Sequence, residues 1–190
     1  MMEFRKLIRE ILEVIIPALL LFFVIRAFVI EARYVPSGSM RPTIMEWDRF
    51  LTEKVSYRFR EPKRGDIVVF NTPETAVKMH QEESIRRGRK PLPLYPFVKR
   101  IVGLPGERVM IRAGTVYING EKLEESYISS ERRPIYQFGP VTVPKDEYFM
   151  LGDNRNQSWD SHIWGSVPKK NFIGRVLWRF WPPKRIGVIR

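Results

Sequence analysis

The sequence predicts a mainly β protein behind a single N-terminal transmembrane helix: an antiparallel β-sheet domain, with insertions, following an apolar anchor. Three observations predict it. Ile11 to Ile30 is an almost unbroken apolar run of 20 residues. From Arg49 onward, short β-branched and aromatic stretches alternate with Gly, Pro and Asn, the pattern of antiparallel sheets or a barrel-like sandwich and not of βαβ units. Asn119-Gly120 lies between two such stretches, the signal of a type I′ hairpin.

Length and composition agree. The 190 residues suffice for one membrane helix and one domain of ordinary size. The expected division is residues 1–32, tip and anchor, and 33–190, the β-rich domain, with insertions at 71–96 and about 107–147. Lys and Arg number 33 against 21 Asp and Glu, a net +12, which suits nucleic acid, an anionic membrane surface, or neither. Cysteine is absent, excluding thiol catalysis, disulfides and Cys-ligated zinc. His80 and His162 are the only histidines, and no H-E-x-x-H or G-x-S-x-G string occurs. A Ser-His-Asp triad would have to use one of those two; other hydrolytic chemistry needs a different base.

Taken in order, Arg5, Lys6 and Arg9 precede the apolar run and place the N-terminus in the cytoplasm, since acidic residues count little in that rule. A helix over the run is roughly 30 Å long, about the hydrocarbon thickness. No small-x-small cleavage site follows it, so an uncleaved anchor is expected. Candidate strands are Arg49–Val55, Asp66–Phe70, Phe97–Val102, Arg108–Arg112, Thr115–Ile118, Glu121–Leu123, Tyr148–Leu151 and Gly174–Phe180. Arg64-Gly65-Asp66 reads as a turn into a strand. The 71–96 insertion reads as a short helix and a proline-stiffened loop, with His80 a loop histidine and Arg86-Arg87-Gly88-Arg89-Lys90 a solvated basic face. Val176 to Pro183 is aromatic: alternate positions suit a core strand and the others an interfacial role.

Between anchor and first strand lies Pro36-Ser37-Gly38-Ser39-Met40-Arg41-Pro42-Thr43-Ile44, with three hydroxyls and two prolines in nine positions. Proline fixes φ and glycine admits unusual φ, so one irregular shape is expected. By itself this is a Ser/Pro-rich turn. With Arg64-Gly65-Asp66-Ile67-Val68-Val69-Phe70, Val98-Lys99-Arg100-Ile101-Val102-Gly103-Leu104-Pro105-Gly106 and Gly152-Asp153-Asn154-Arg155-Asn156-Gln157-Ser158-Trp159-Asp160-Ser161, in that order behind an anchor, it resembles the bacterial type I signal peptidases, membrane-bound serine proteases with a Ser-Lys dyad. The resemblance covers the anchor and most of the β-rich part. It is poorest at Asn71–Pro96 and Glu121–Lys145.

The resemblance implies that Ser39 is the nucleophile and Lys99 the general base. The chemistry requires such a pair: a serine hydroxyl attacks only when a neighbour takes its proton, and a lysine can take it only when neutral, roughly 2–3 units below its ordinary pKa. Strand parity puts Phe97, Lys99 and Ile101 on one face and Val98, Arg100 and Val102 on the other, without saying which is active; Arg100 stays charged and is no base. By resemblance, the Ser39 N–H and the Ser37 hydroxyl form the oxyanion hole and Ser158 orients the lysine. Asp153 and Asp160 brace the site with cations such as Arg100, and His162 stands where the family commonly has Arg. Val35, Pro36, Met40, Ile44, Phe97 and Val98 are the implied lining of shallow pockets.

The implied reaction is endopeptidase cleavage of exported pre-proteins after an Ala-x-Ala triplet, by a monomer in the bacterial cytoplasmic membrane with its catalytic domain outside. It needs no metal or cofactor, and its partners are pre-proteins and the lipid bilayer, not nucleic acid. The alternatives are a LexA-like Ser-Lys peptidase, a triad through His162, and a non-catalytic membrane-tethered basic protein binding lipid or nucleic acid.

Overall fold

The computed structural model describes residues 2–91 and 93–189. Helix α1 (Met2–Phe28) holds the apolar run. Within it, Glu10–Phe28 is long and apolar enough to cross a membrane, with mean hydropathy 2.4 and none of it buried. Pro17 is accommodated inside. The side chains of Arg5 and Arg9, which carry the orientation argument, lie outside the described residues. The helix stops short of Ile30, because that residue opens β1 (Ile30–Tyr34), paired antiparallel with β2 (Arg49–Glu53). An apolar run thus ends as a strand, and hydropathy alone cannot mark the change.

The remaining elements are α2 (Ser56–Phe59), β3 (Ile67–Phe70), α3 (Glu74–Arg86), β4 (Phe97–Gly103), β5 (Arg108–Arg112), β6 (Thr115–Ile118), β7 (Glu121–Lys122), β8 (Phe138–Thr142), β9 (Glu147–Leu151), α4 (Ser161–Trp164), β10 (Val167–Pro168), β11 (Phe172–Trp181) and β12 (Gly187–Val188). The protein is mainly β and antiparallel, as its short punctuated strands predict. One eight-stranded sheet runs β1-β2-β11-β3-β4-β9-β10, with β12 against β11, and a four-stranded sheet runs β7-β6-β5-β8. Asn119 and Gly120 have φ of 54° and 91°, the left-handed pair that a type I′ turn between β6 and β7 requires.

The 107–147 region is therefore a second sheet with its own core, Val109, Ile111, Val116 and Ile118 packing with Phe149 and Leu151 from the first. Strand β8 is absent from the sequence expectation because Gly139-Pro140 inside it reads as a breaker. The 71–96 insertion carries the expected helix as α3. His80 lies on that helix and not in a loop, so the loop expectation for it is corrected. Its ring packs 6.4 Å from that of Trp159. Arg86 and Arg87 are exposed and pair with Glu83 on the same helix, a solvated face. In β11, Val176 is buried while Trp178 and Trp181 are 41% and 50% exposed.

Both faces of β3 and β4 are covered. Ile67, Val69 and Val98 pack with Val35, Met40, Ile44 and Phe50 on one side, and Val68, Phe70 and Ile101 pack with Met150 and Trp164 on the other. That placement makes the centre of β4 a dry location for a charged side chain, and β4 carries two.

Candidate active site

Lys99 and Arg100 are neighbours on β4, 4% and 2% exposed. Strand alternation sends them opposite ways. Lys99 Nζ lies 2.7 Å from Ser39 Oγ. Ser39 sits in a single helical turn, Gly38–Met40, entered through extended Ser37; Met40 inside that turn is fully buried and pins it to the core. The turn is also held from the fourth motif: Asn154 donates its backbone N–H to Ser39 O at 3.0 Å and its side-chain amide to Gly38 O at 3.0 Å.

Burial pushes the Lys99 ammonium down to about 8 from an ordinary 10.5, against the charges of Asp160 and Asp153, which hold it up. The shift amounts to roughly 3 kcal/mol against the protonated form. Near neutral or slightly alkaline pH such a lysine is neutral in a substantial fraction of molecules and can accept a proton from the hydroxyl it touches.

Arg100 has full compensation. Asp153 accepts its Nε and Nη2 at 2.9 and 2.7 Å, Gly65 O accepts Nη1 at 2.9 Å, and its guanidinium lies 3.9 Å from the centre of the Tyr127 ring. Asp153 also accepts from Thr43 Oγ1. One buried ion pair thereby joins all four motifs: Thr43 from the first, Gly65 from the second, Arg100 from the third and Asp153 from the fourth. Asp160, wholly buried, accepts from Gly152 N at 2.9 Å and lies 2.7 Å from His162 Nδ1. His162 stacks on Tyr136 at 4.1 Å, so it serves Asp160 and is not seated against Ser39 as a triad base would be.

Gly152 is where the fourth motif passes under the nucleophile turn. A Cβ there would stand 2.2 Å from Ser158 Oγ and 2.5 Å from Ser39 O, so only glycine fits. Ser158 is buried, and its hydroxyl has no hydrogen-bond partner among the described residues, so the bond to Lys99 implied for it is not made in this arrangement. The Ser37 and Ser39 hydroxyls are 3.5 Å apart.

The dyad opens on a cleft of about 340 Å³ whose lining includes Ser37, Ser39, Phe97, Lys99, Gln157 and Trp159, with Arg41 and Glu46 at one wall. Arg41 and Glu46 form a two-point ion pair, at 2.7 and 2.5 Å. Of the apolar residues expected to line pockets, Phe97 faces the cleft. Val35, Met40, Ile44 and Val98 are packed together in one buried cluster, and Pro36 is exposed. One edge of β4 is also free there. Strand β3 pairs with all of Phe97–Arg100, whereas β9 joins only from Arg100 onward.

Several residues of this site have no signal in the sequence. Arg155 is fully buried and forms a two-point pair with Glu125, at 2.9 and 2.5 Å, and donates Nε to Gly152 O. Glu125 lies in a stretch outside the four motifs. Only the pairing across 30 positions gives it meaning.

Comparison with known proteins gives the family. Residues 8–181 match the family described as signal peptidase, peptidase S26. A probable signal peptidase I-2 of Synechocystis is 47% identical over 95% of this chain and 76% of its own length. A signal peptidase I of Leptolyngbya laminosa is 52% identical over 86% of this chain and 74% of its own. A crystal structure of a signal peptidase I from Enterococcus faecalis aligns with TM-score 0.44 and 32% identity, over 61% of this chain and 97% of that one. The match over nearly the whole length, with the four motifs joined at one buried ion pair, means that the chain belongs to the signal peptidase family, peptidase S26, a family of serine endopeptidases.

Proposed function

We propose that this protein removes signal peptides from exported pre-proteins by a Ser39–Lys99 dyad, cleaving after Ala-x-Ala. The observation that carries the proposal is the 2.7 Å approach of a buried, pKa-depressed lysine to a serine hydroxyl. Ser39 Oγ attacks the scissile carbonyl carbon while neutral Lys99 Nζ takes its proton. The oxyanion is met by the Ser39 backbone N–H and the Ser37 hydroxyl, and one such donor is worth about 10²–10³ in rate. Lys99 returns the proton to the departing amine, leaving an acyl-enzyme on Ser39. It then draws a proton from water, which attacks the ester and frees the serine.

The substrate is extended and adds to the open edge of Phe97–Lys99, so main-chain hydrogen bonds supply affinity while the pockets read side chains. The pockets are shallow and accept only small residues at the first and third positions before the cut, with the buried cluster of Val35, Met40, Ile44 and Val98 as their floor. Asp153, Asp160 and Arg100 brace the dyad, and the Ser158 hydroxyl orients Lys99 when the lysine turns from Ser39.

The α1 segment anchors the chain in the bacterial cytoplasmic membrane, with 33–190 on the outer side. Supporting this apposition, the sheet end that continues from α1 exposes Tyr34 stacked on Trp47 at 5.8 Å, along with Trp178 and Trp181, the side chains that favour a headgroup layer. A site close to the bilayer is where signal-peptide cleavage junctions emerge.

The test is cleavage of a purified pre-protein in detergent by wild type, Ser39→Ala and Lys99→Ala across a pH series. Cleavage after Ala-x-Ala is expected for wild type, with an acid limb near pH 8, and both variants fall by at least about 10³-fold. Full activity in either variant removes the dyad from the mechanism.

A further inference from the structure

Helix α3 and Trp159 enclose a second groove, of about 370 Å³, bounded by Met79, His80, Glu82, Glu83, Arg86 and Trp159. It neighbours the cleft of the dyad, and Trp159 lines both. The connection is a row of rings: Lys99 Nζ lies 5.7 Å from the Phe97 ring centre, Phe97 meets Trp159 edge-on at 5.8 Å, and Trp159 meets His80 of α3 at 6.4 Å.

The helix is placed to serve this groove. Ala76 is fully buried and packs into the core below β3 and β4, fixing the inner face. Met79, Glu82, Glu83 and Arg86, spaced i, i+3, i+4 and i+7, form the adjoining row that looks toward Trp159. Met79 is 39% exposed although it stands beside a tryptophan, and Glu83 is neutralised by Arg86 and Arg87. The groove therefore has an apolar floor of Met79 and the Trp159 and His80 rings.

We infer that this groove is a subsite of the peptidase, taking one bulky apolar side chain of the pre-protein outside the Ala-x-Ala triplet. The inference rests on the dyad reading above and adds to it a second point of selection. The groove adjoins the Phe97 end of the open β4 edge, two residues and roughly 6–7 Å along the strand from Lys99. An extended chain lying on that edge reaches the groove with a residue away from the scissile bond, and alternate side chains of that chain point to the same face. The Met79 and Trp159 surfaces favour a leucine- or phenylalanine-like side chain over a polar one.

The test uses the full chain in detergent and pre-protein substrates with a constant Ala-x-Ala triplet. Leucine is compared with serine at each position from four to seven residues before the cut and from two to five after it. One position is expected to respond, with kcat/KM about tenfold higher for leucine in wild type. Met79→Glu abolishes that preference and acts far less on the serine substrate, so the pair shows coupling in a double-mutant cycle. His80→Ala weakens the same preference at the same position, which guards against a folding defect peculiar to one variant. Equal losses on leucine and serine substrates, or no responsive position in wild type, overturn the subsite while leaving the dyad intact. No cleavage of any substrate by wild type removes the dyad reading and the subsite together.

Discussion

Two cations stand side by side on β4 and meet opposite fates. Arg100 is buried against a two-point carboxylate, a carbonyl and an aromatic face. Lys99 is buried to nearly the same depth, and its side chain hydrogen-bonds to a neutral hydroxyl. Taking a charge out of water costs several kcal/mol unless a partner and hydrogen bonds offset it. Arg100 meets that cost by pairing and stays charged. Lys99 meets it in part, by releasing its proton at a lower pH than an ordinary lysine. The same strand thus makes a structural brace on one face and a base on the other, and the difference lies entirely in what the neighbouring segments bring.

The sharpest way to break this comparison is to make the two cations alike. Lys99→Arg keeps length and burial but installs a group that does not deprotonate. Cleavage is expected to fall by about 10³-fold or more at every pH, whereas an arginine variant regaining activity at high pH would mean that proton transfer from Ser39 uses another base. Next in size is the brace. Asp153→Ala leaves Arg100 buried without its counter-ion and releases Thr43, so a loss of about 3–5 kcal/mol in unfolding free energy is expected. Urea titration of the detergent-solubilised protein measures it; a loss under 1 kcal/mol would show that Gly65 and Tyr127 suffice.

The lysine side of the comparison carries the opposite sign. With its folded pKa near 8 and its unfolded value near 10.5, the unfolded chain binds more protons between those limits, so stability rises with pH across that window. Below pH 8 the burial penalty is fully present. Lys99→Met removes it, and a gain of up to about 3 kcal/mol is expected at pH 7, shrinking toward pH 10.5. An enzyme that becomes more stable as it loses its base would fit a site held against its own folding energy. Destabilisation at pH 7 would mean that the ammonium is better satisfied than its surroundings suggest.

How much of this is legible in the chain differs between the two faces. The centrality of β4 is readable, since Phe97 to Val102 alternates cations with apolar residues on both parities, and so is the hairpin at Asn119-Gly120. The pairing of Ser39 with Lys99 came from the order of four motifs, because no local pattern relates residues 60 positions apart. The neighbours that separate Lys99 from Arg100 are harder to read. Asn154 holding the nucleophile turn, Gly152 passing beneath it and Glu125 compensating Arg155 are consequences of tertiary placement. Each looks like an ordinary turn or surface residue in sequence. Val35, Met40 and Ile44 lie in the buried cluster around the nucleophile turn, an anchoring role that apolar residues flanking a serine do not announce in sequence.

The finest test concerns why Asp160 and Asp153 act unequally on Lys99. Both charges hold the lysine up, Asp160 more than Asp153. Asp153 is already engaged by the permanent charge of Arg100. Asp160 is met by a backbone N–H and by the His162 ring. Asp160→Asn retains an acceptor for Gly152 N while removing the charge, so Lys99 loses a group that favours its protonated form. The neutral fraction then grows at any given pH, and the acid limb of kcat/KM, which reports the free enzyme, moves to lower pH by about half a unit. A limb that stays in place would mean that burial alone sets the lysine and that Asp160 matters only as a hydrogen-bond acceptor. A limb moving upward would mean that the aspartate's main service is to keep water out of the cavity around Lys99, a role that charge removal with loosened packing would expose.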